Sequence, residues 1–233
     1  MKVKEMRNVI SHFRAEEFIY IYMTQPIIVQ PCTHITHHFF NTDPNTARHI
    51  IVQKDAQVTI FEYTLRGTVQ ASTTITLAEP GAEAHIASVF LGSSDAVFNL
   101  NHTIIHDAPH TISNIQTRGL LLDRAKTNYK GLIHINKTAP YAQGYQKIDT
   151  LVASEQAYID QTPVLEIHND NVKCSHGATI GHFDPEHLFY LMSRGMNEHT
   201  AKQTLAKGFL LAAIHNTCPA LIIKTIDEAL TTV

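Results

Sequence analysis

The sequence predicts a mainly β body, read as a parallel β-solenoid, followed by a small C-terminal helical domain. Two features carry the β part. From about Arg48 to Gly181 the chain is a succession of short β-branched runs, among them VTIFEYTL, AHIASVFLG, AVFNLNHTII and GLIHINK, in which apolar residues alternate with polar or small ones. Gly, Asp, Asn or Pro separates the runs at intervals of about ten residues, and no helical period passes through them. A third feature carries the helical part: beyond Asp184 the apolar residues fall at helical spacing.

Such runs suit a sandwich, a barrel or a solenoid. Three details favour the solenoid. Asn-Gly and Asp-Gly hairpin turns are missing, so tight antiparallel pairing is not signalled. Charges inside the runs are few and gather at the separators, where stacked coils would turn them outward. Small and hydroxylated residues recur, for instance Thr73, Thr74, Thr76, Ser88, Thr111, Ser113 and Thr117, as a flat surface of repeated rungs requires.

In chain order, residues 1–24 form a short N-terminal segment with a loose helical rhythm that Pro26 stops. Residues 25–182 form the β core. Residues 183–233 form the helical domain. Asp184 before Pro185 reads as an N-cap with proline in the first helical position, and Gly195 sits where that helix ends. A second helix starts near Asn197 and stops by Pro219; ALIIKTIDEAL supplies a third apolar face through Leu221, Ile222, Ile226, Ala229 and Leu230. Such faces pack on the body, and any surplus is open to a partner.

Composition narrows the function. A net charge of −3 argues against nucleic-acid binding through a basic face. No segment is apolar for long enough to span a membrane, and the N-terminus lacks a signal-peptide pattern, so the cytoplasm is the expected compartment. Three cysteines, Cys32, Cys174 and Cys218, lie far apart without C-x-x-C spacing, which suits a reducing compartment. The 16 histidines are unusual, and scattered histidines are mostly satisfied core or surface residues. His102, His106 and His110, at four-residue spacing, read as core-lip or turn residues because Pro109 breaks their strand. Clustered acids for sugar hydrolysis, a His-x-His motif with a spaced Glu, and a glycine-rich phosphate loop are all missing, so no enzyme is expected.

The densest reactive chemistry lies in Asn169 to Gly195. There Cys174 and His176 are two residues apart, which on a strand puts both on one face. A thiol beside an imidazole is a handle for a thiophilic metal or for sulfur chemistry. Two ligands do not complete a metal site, so residues elsewhere or from a partner must join them. Cys32 and His34 repeat the C-x-H pattern, which reads as coincidence in so histidine-rich a chain.

Four motifs carry a resemblance: NYKGLIHINKTAPYAQGYQ at 128–146, PVLEIHNDNV at 163–172, VKCSHGATIG at 172–181 and FDPEHLFYLMSRGM at 183–196. Together, in this order, they resemble the SufB and SufD family of Suf-type iron–sulfur cluster assembly proteins, and Cys-Ser-His-Gly points to its SufD-type members. The resemblance implies a right-handed parallel β-helix with a C-terminal helical domain, acting as a non-enzymatic scaffold. It implies pairing through the β-helix with a SufB-type scaffold and docking of a SufC-type ATPase on the helices, over residues 185 to 215. His176, with Cys174 beside it, would then bind metal in a nascent iron–sulfur cluster, held transiently and completed by the partner. The chain departs from the family in having little room for a long N-terminal helical domain. The competing expectation is an orphan β-helix that pairs with a second copy of itself and has no cluster work.

Overall fold

The structure is a computed structural model that describes residues 25–214 and 220–231. The expected segment 1–24, with Cys218 and Pro219, lies outside the described residues.

Among the described residues twelve strands form two parallel six-stranded sheets, and consecutive strands alternate between them. One sheet has the order β1 (Ile27–Val29), β3 (Asn45–Val52), β5 (Thr68–Leu77), β7 (Val97–His106), β9 (Lys126–Ile135) and β11 (Tyr158–Ile167). The other runs β12 (Lys173–Gly181), β10 (Gln143–Val152), β8 (Ile112–Leu121), β6 (Glu83–Gly92), β4 (Gln57–Thr64) and β2 (His34–Phe40). This is a parallel β-solenoid. Each strand pairs with the strand one coil away, so like residues stack in columns along the axis.

The period-2 alternation explains the interior. Ile50, Ile75, Ile104 and Ile133 face one another in one sheet, and Ile60, Ile86 and Ile115 in the other, all buried. Coils turn at residues with left-handed backbone, and one corner stacks Asp55, Gly81, His110 and Tyr141, all at positive φ. Each of these donates its backbone N–H to the next coil, from Asp55 to Pro80, Gly81 to Pro109, His110 to Pro140 and Tyr141 to Asn171. The regular bond offsets the strain that an L-residue meets there. His110 therefore sits on a corner, stacked on Tyr141 at 4.8 Å, while His102 and His106 of β7 point into the core.

Three helices follow among the described residues: α1 (Pro185–Ser193), α2 (Glu198–Leu211) and α3 (Ala220–Leu230). Asp184 caps α1 by accepting the Glu186 N–H at 2.8 Å, Asn197 caps α2, and Gly195 at φ +95° ends the α1 turn. Ala206, Leu210, Ile214, Ile222, Ile226 and Leu230 pack on Phe61, Tyr63, Val89, Leu91 and Leu120, which face outward from the β4–β6–β8 sheet. That half of the solenoid is thus buried on both sides. Arg118 fastens it, donating to the Phe209 carbonyl at 2.8 Å with its guanidinium 4.9 Å from the Phe209 ring.

Candidate functional site

The motif VKCSHGATIG becomes β12, the last strand of its sheet, and β11 is the last strand of the other. Among the described residues no strand pairs with the outer edge of either. An open strand edge offers a row of backbone donors and acceptors to another chain. Side chains there are apolar in part: Tyr158, Ile167 and Ile180 are exposed.

Cys174 and His176 lie in two adjacent inward columns of this edge. Register sets Cys174 over Gly144 and Ser113, and His176 over Gln146 and Ile115. Covered from one side only, Cys174 is half-buried and His176 exposed. The two are therefore on one face, as their spacing predicts. An open depression of about 240 Å³ adjoins His176, lined by Asn114, Tyr145, Gln146, Lys147, Ser175 and Gly177.

The thiol of Cys174 differs from a reactive one. Burial pushes its pKa up, and a backbone hydrogen bond from Gly144 only partly opposes this. In the free chain Cys174 is a protonated thiol at neutral pH, and a metal or a nearby cation has to lower its pKa before it can act as a ligand. Cys32 and His34 sit at the other end of the same sheet, so the two C-x-H pairs are not brought together. No group of three or more His, Cys, Asp or Glu residues is arranged to hold a metal among the described residues. A metal at Cys174 and His176 would need ligands from outside these residues.

A second polar centre was not foreseen. Glu62, pointing inward from β4, is buried with His102, Arg48 and Thr73 around it. Thr73 and Asn41 donate to its carboxylate, His102 Nε2 lies 3.3 Å away and Arg48 Nη1 4.0 Å away. Burial pushes the carboxyl pKa up, but the His102 ring and Arg48 outweigh it and hold it down at about 2. The network continues from His102 Nδ1 to the Tyr129 hydroxyl at 2.8 Å, and Thr117 donates to that hydroxyl. Its signal in the sequence was parity: Glu62 follows Val58 and Ile60 at the same alternate positions.

A family model for the SUF system FeS cluster assembly SufBD core domain matches residues 26–209, which span the solenoid, α1 and most of α2. The chain belongs to the SufBD core family. The iron–sulfur cluster assembly protein SufD of Escherichia coli K12 is 30% identical over 176 residues, which are 75% of this chain and 40% of that protein. Iron–sulfur cluster assembly SufBD family proteins of Staphylococcus saprophyticus and Staphylococcus epidermidis are 32% identical over 130 residues, or 56% of this chain and 28% of theirs. The chain thus spans 28% to 40% of the length of these SufBD relatives. No helix among the described residues is long and apolar enough to cross a membrane.

One more SufBD surface stands out. Helix α1 buries none of its residues and exposes Phe189 at 74%, Tyr190 at 55% and Met192 at 43%. Its neighbours α2 and α3 share a core with the solenoid, so α1 is the helix with apolar surface to spare.

Proposed function

We propose that this chain is a SufD-like scaffold subunit of cytoplasmic iron–sulfur cluster assembly. The observation that carries the reading is the position of Cys174 and His176 on the open terminal strand of the solenoid, in a chain of the SufBD core family. A SufB-type scaffold pairs with the edges of β11 and β12, and a SufC-type ATPase docks on α1. The nascent cluster is cargo, bound at the junction between the two scaffolds.

At that junction His176 supplies an imidazole nitrogen to iron, and the partner completes the ligand set. Borderline metals accept imidazole readily, and the exposed ring meets the partner without rebuilding the core. Cys174 takes the secondary part. Once metal or a partner cation draws off its proton, its thiolate becomes a second ligand. The scaffold binds and orients, and it performs no chemistry of its own.

The test is His176→Ala in the complex formed by co-expression with SufB-type and SufC-type proteins, with iron and labile sulfide measured anaerobically. The reading predicts an intact complex with strongly reduced cluster content. Unchanged cluster content would contradict it.

A further inference from the structure

The site holds one more group whose placement is unexplained by packing. Gln146 of β10 is 3% exposed, yet neither its carboxamide oxygen nor its nitrogen has a hydrogen-bond partner among the described residues. Buried polar groups without partners are rare, and an apolar side chain of similar size would fill the same space at lower cost. The fold nevertheless makes room for this one. A Cβ at Gly131, across the interior, would lie 1.9 Å from Gln146 Nε2, so the carboxamide occupies the space where Gly131 lacks a side chain.

The register says which residue Gln146 pairs with on the next coil. Gln146 is the direct ladder partner of His176, in the same inward column with Ile115 on the other side. Adjacent strands in a ladder are about 4.8 Å apart, within reach of two side chains this long. A histidine that binds metal through one ring nitrogen needs an acceptor for the N–H of the other, which fixes the tautomer and the ring plane.

We propose that Gln146 is a positioning residue for His176: its carboxamide oxygen accepts the free ring N–H of His176 when the other nitrogen holds iron. The inference rests on the cluster-assembly reading above. It explains why a side chain whose amide has no hydrogen-bond partner in the free chain stands at the ladder position next to the histidine. The amide is held in reserve for the loaded state.

The experiment uses the co-expressed complex with four variants: Gln146→Leu, Gln146→Glu, His176→Ala and the Gln146→Leu/His176→Ala double. Gln146→Leu should lower cluster content about tenfold, the usual lower end for losing such a partner. Its thermal midpoint should equal or exceed the parent's, because the unpaired amide is gone. Gln146→Glu, which keeps an acceptor oxygen, should retain most of the cluster. In the His176→Ala background Gln146→Leu should change nothing further. Parental cluster content in Gln146→Leu, beside a loss in His176→Ala, would overturn this inference alone. An equal further loss in both backgrounds would also overturn it, since the effect would then not pass through His176. Parental content in His176→Ala would instead overturn the underlying reading, and this inference with it.

Discussion

Phe90 fills the space that a side chain at Gly119 would need: a Cβ on Gly119 would lie 1.9 Å from Phe90 Cζ. The two are ladder partners in β6 and β8, and Phe90 is fully buried, packed edge-on against Phe98. Gly119→Ala should therefore destabilise the fold by about 1–3 kcal/mol through overpacking, measured by denaturant unfolding. Adding Phe90→Leu should recover part of that loss. Equal stability of Gly119→Ala and the parent would show that the ring has room to move.

His106 predicts an acid-sensitive solenoid. It is buried at the end of β7, bonded to the hydroxyls of Thr111 and Ser113, and burial lowers its pKa from 6.5 to about 4. Between those values the unfolded chain takes up a proton that the folded chain refuses. Stability should thus fall as pH drops from 6.5 to 4, by up to about 3 kcal/mol. Replacing His106 with Asn should lower stability at pH 7 and flatten the slope in this window. An unchanged slope would mean another group is responsible.

Glu62 acts at still lower pH. A carboxyl held at about 2 contributes stability above its ordinary 4.5 and loses it as pH falls toward 2. Removing the charge leaves buried His102 Nε2 without its partner and takes away the carboxylate that faces the Arg48 guanidinium at 4.0 Å. Glu62→Ala should cost about 3–5 kcal/mol, whereas Thr73→Val, which removes a single donor, should cost about 1 kcal/mol. A loss below 1 kcal/mol for Glu62→Ala would show that the network tunes specificity and adds little stability.

These residues mark where the sequence was legible. The coil corners were visible as Gly, Asp and Pro separators, and the helix caps Asp184 and Asn197 were readable because capping chemistry is local. The half of the solenoid beneath α2 and α3 was also written in the chain, as the ends of β6 and β8 turn continuously apolar at VFLG and GLL. Glu62 was passed over, although its parity with Val58 and Ile60 placed it inside the solenoid. The state of Cys174 was not legible, since the spacing of a C-x-H pair carries no information about burial. Gln146 was hidden for a different reason. Its meaning depends on ladder register with His176, thirty positions on, and no local pattern encodes that.

Helix α1 gives the clearest prediction for a partner. Phe189 and Tyr190 are exposed and contribute no buried core, so Phe189→Ser with Tyr190→Ser should leave thermal stability within about 0.5 kcal/mol of the parent. The same pair should weaken binding of a SufC-type ATPase at least tenfold, read by calorimetry. Deleting the helices outright would be a poorer test, because α2 and α3 cover Phe61, Leu91 and Leu120. Full ATPase affinity in the double variant would move the docking surface off α1.

The most direct test of the scaffold reading is anaerobic co-purification of the chain with SufB-type and SufC-type proteins from the same source, with masses read by light scattering. A stable complex containing all three is the predicted result. A folded chain that associates with neither protein, or only with a second copy of itself through the β11 and β12 edges, would contradict it.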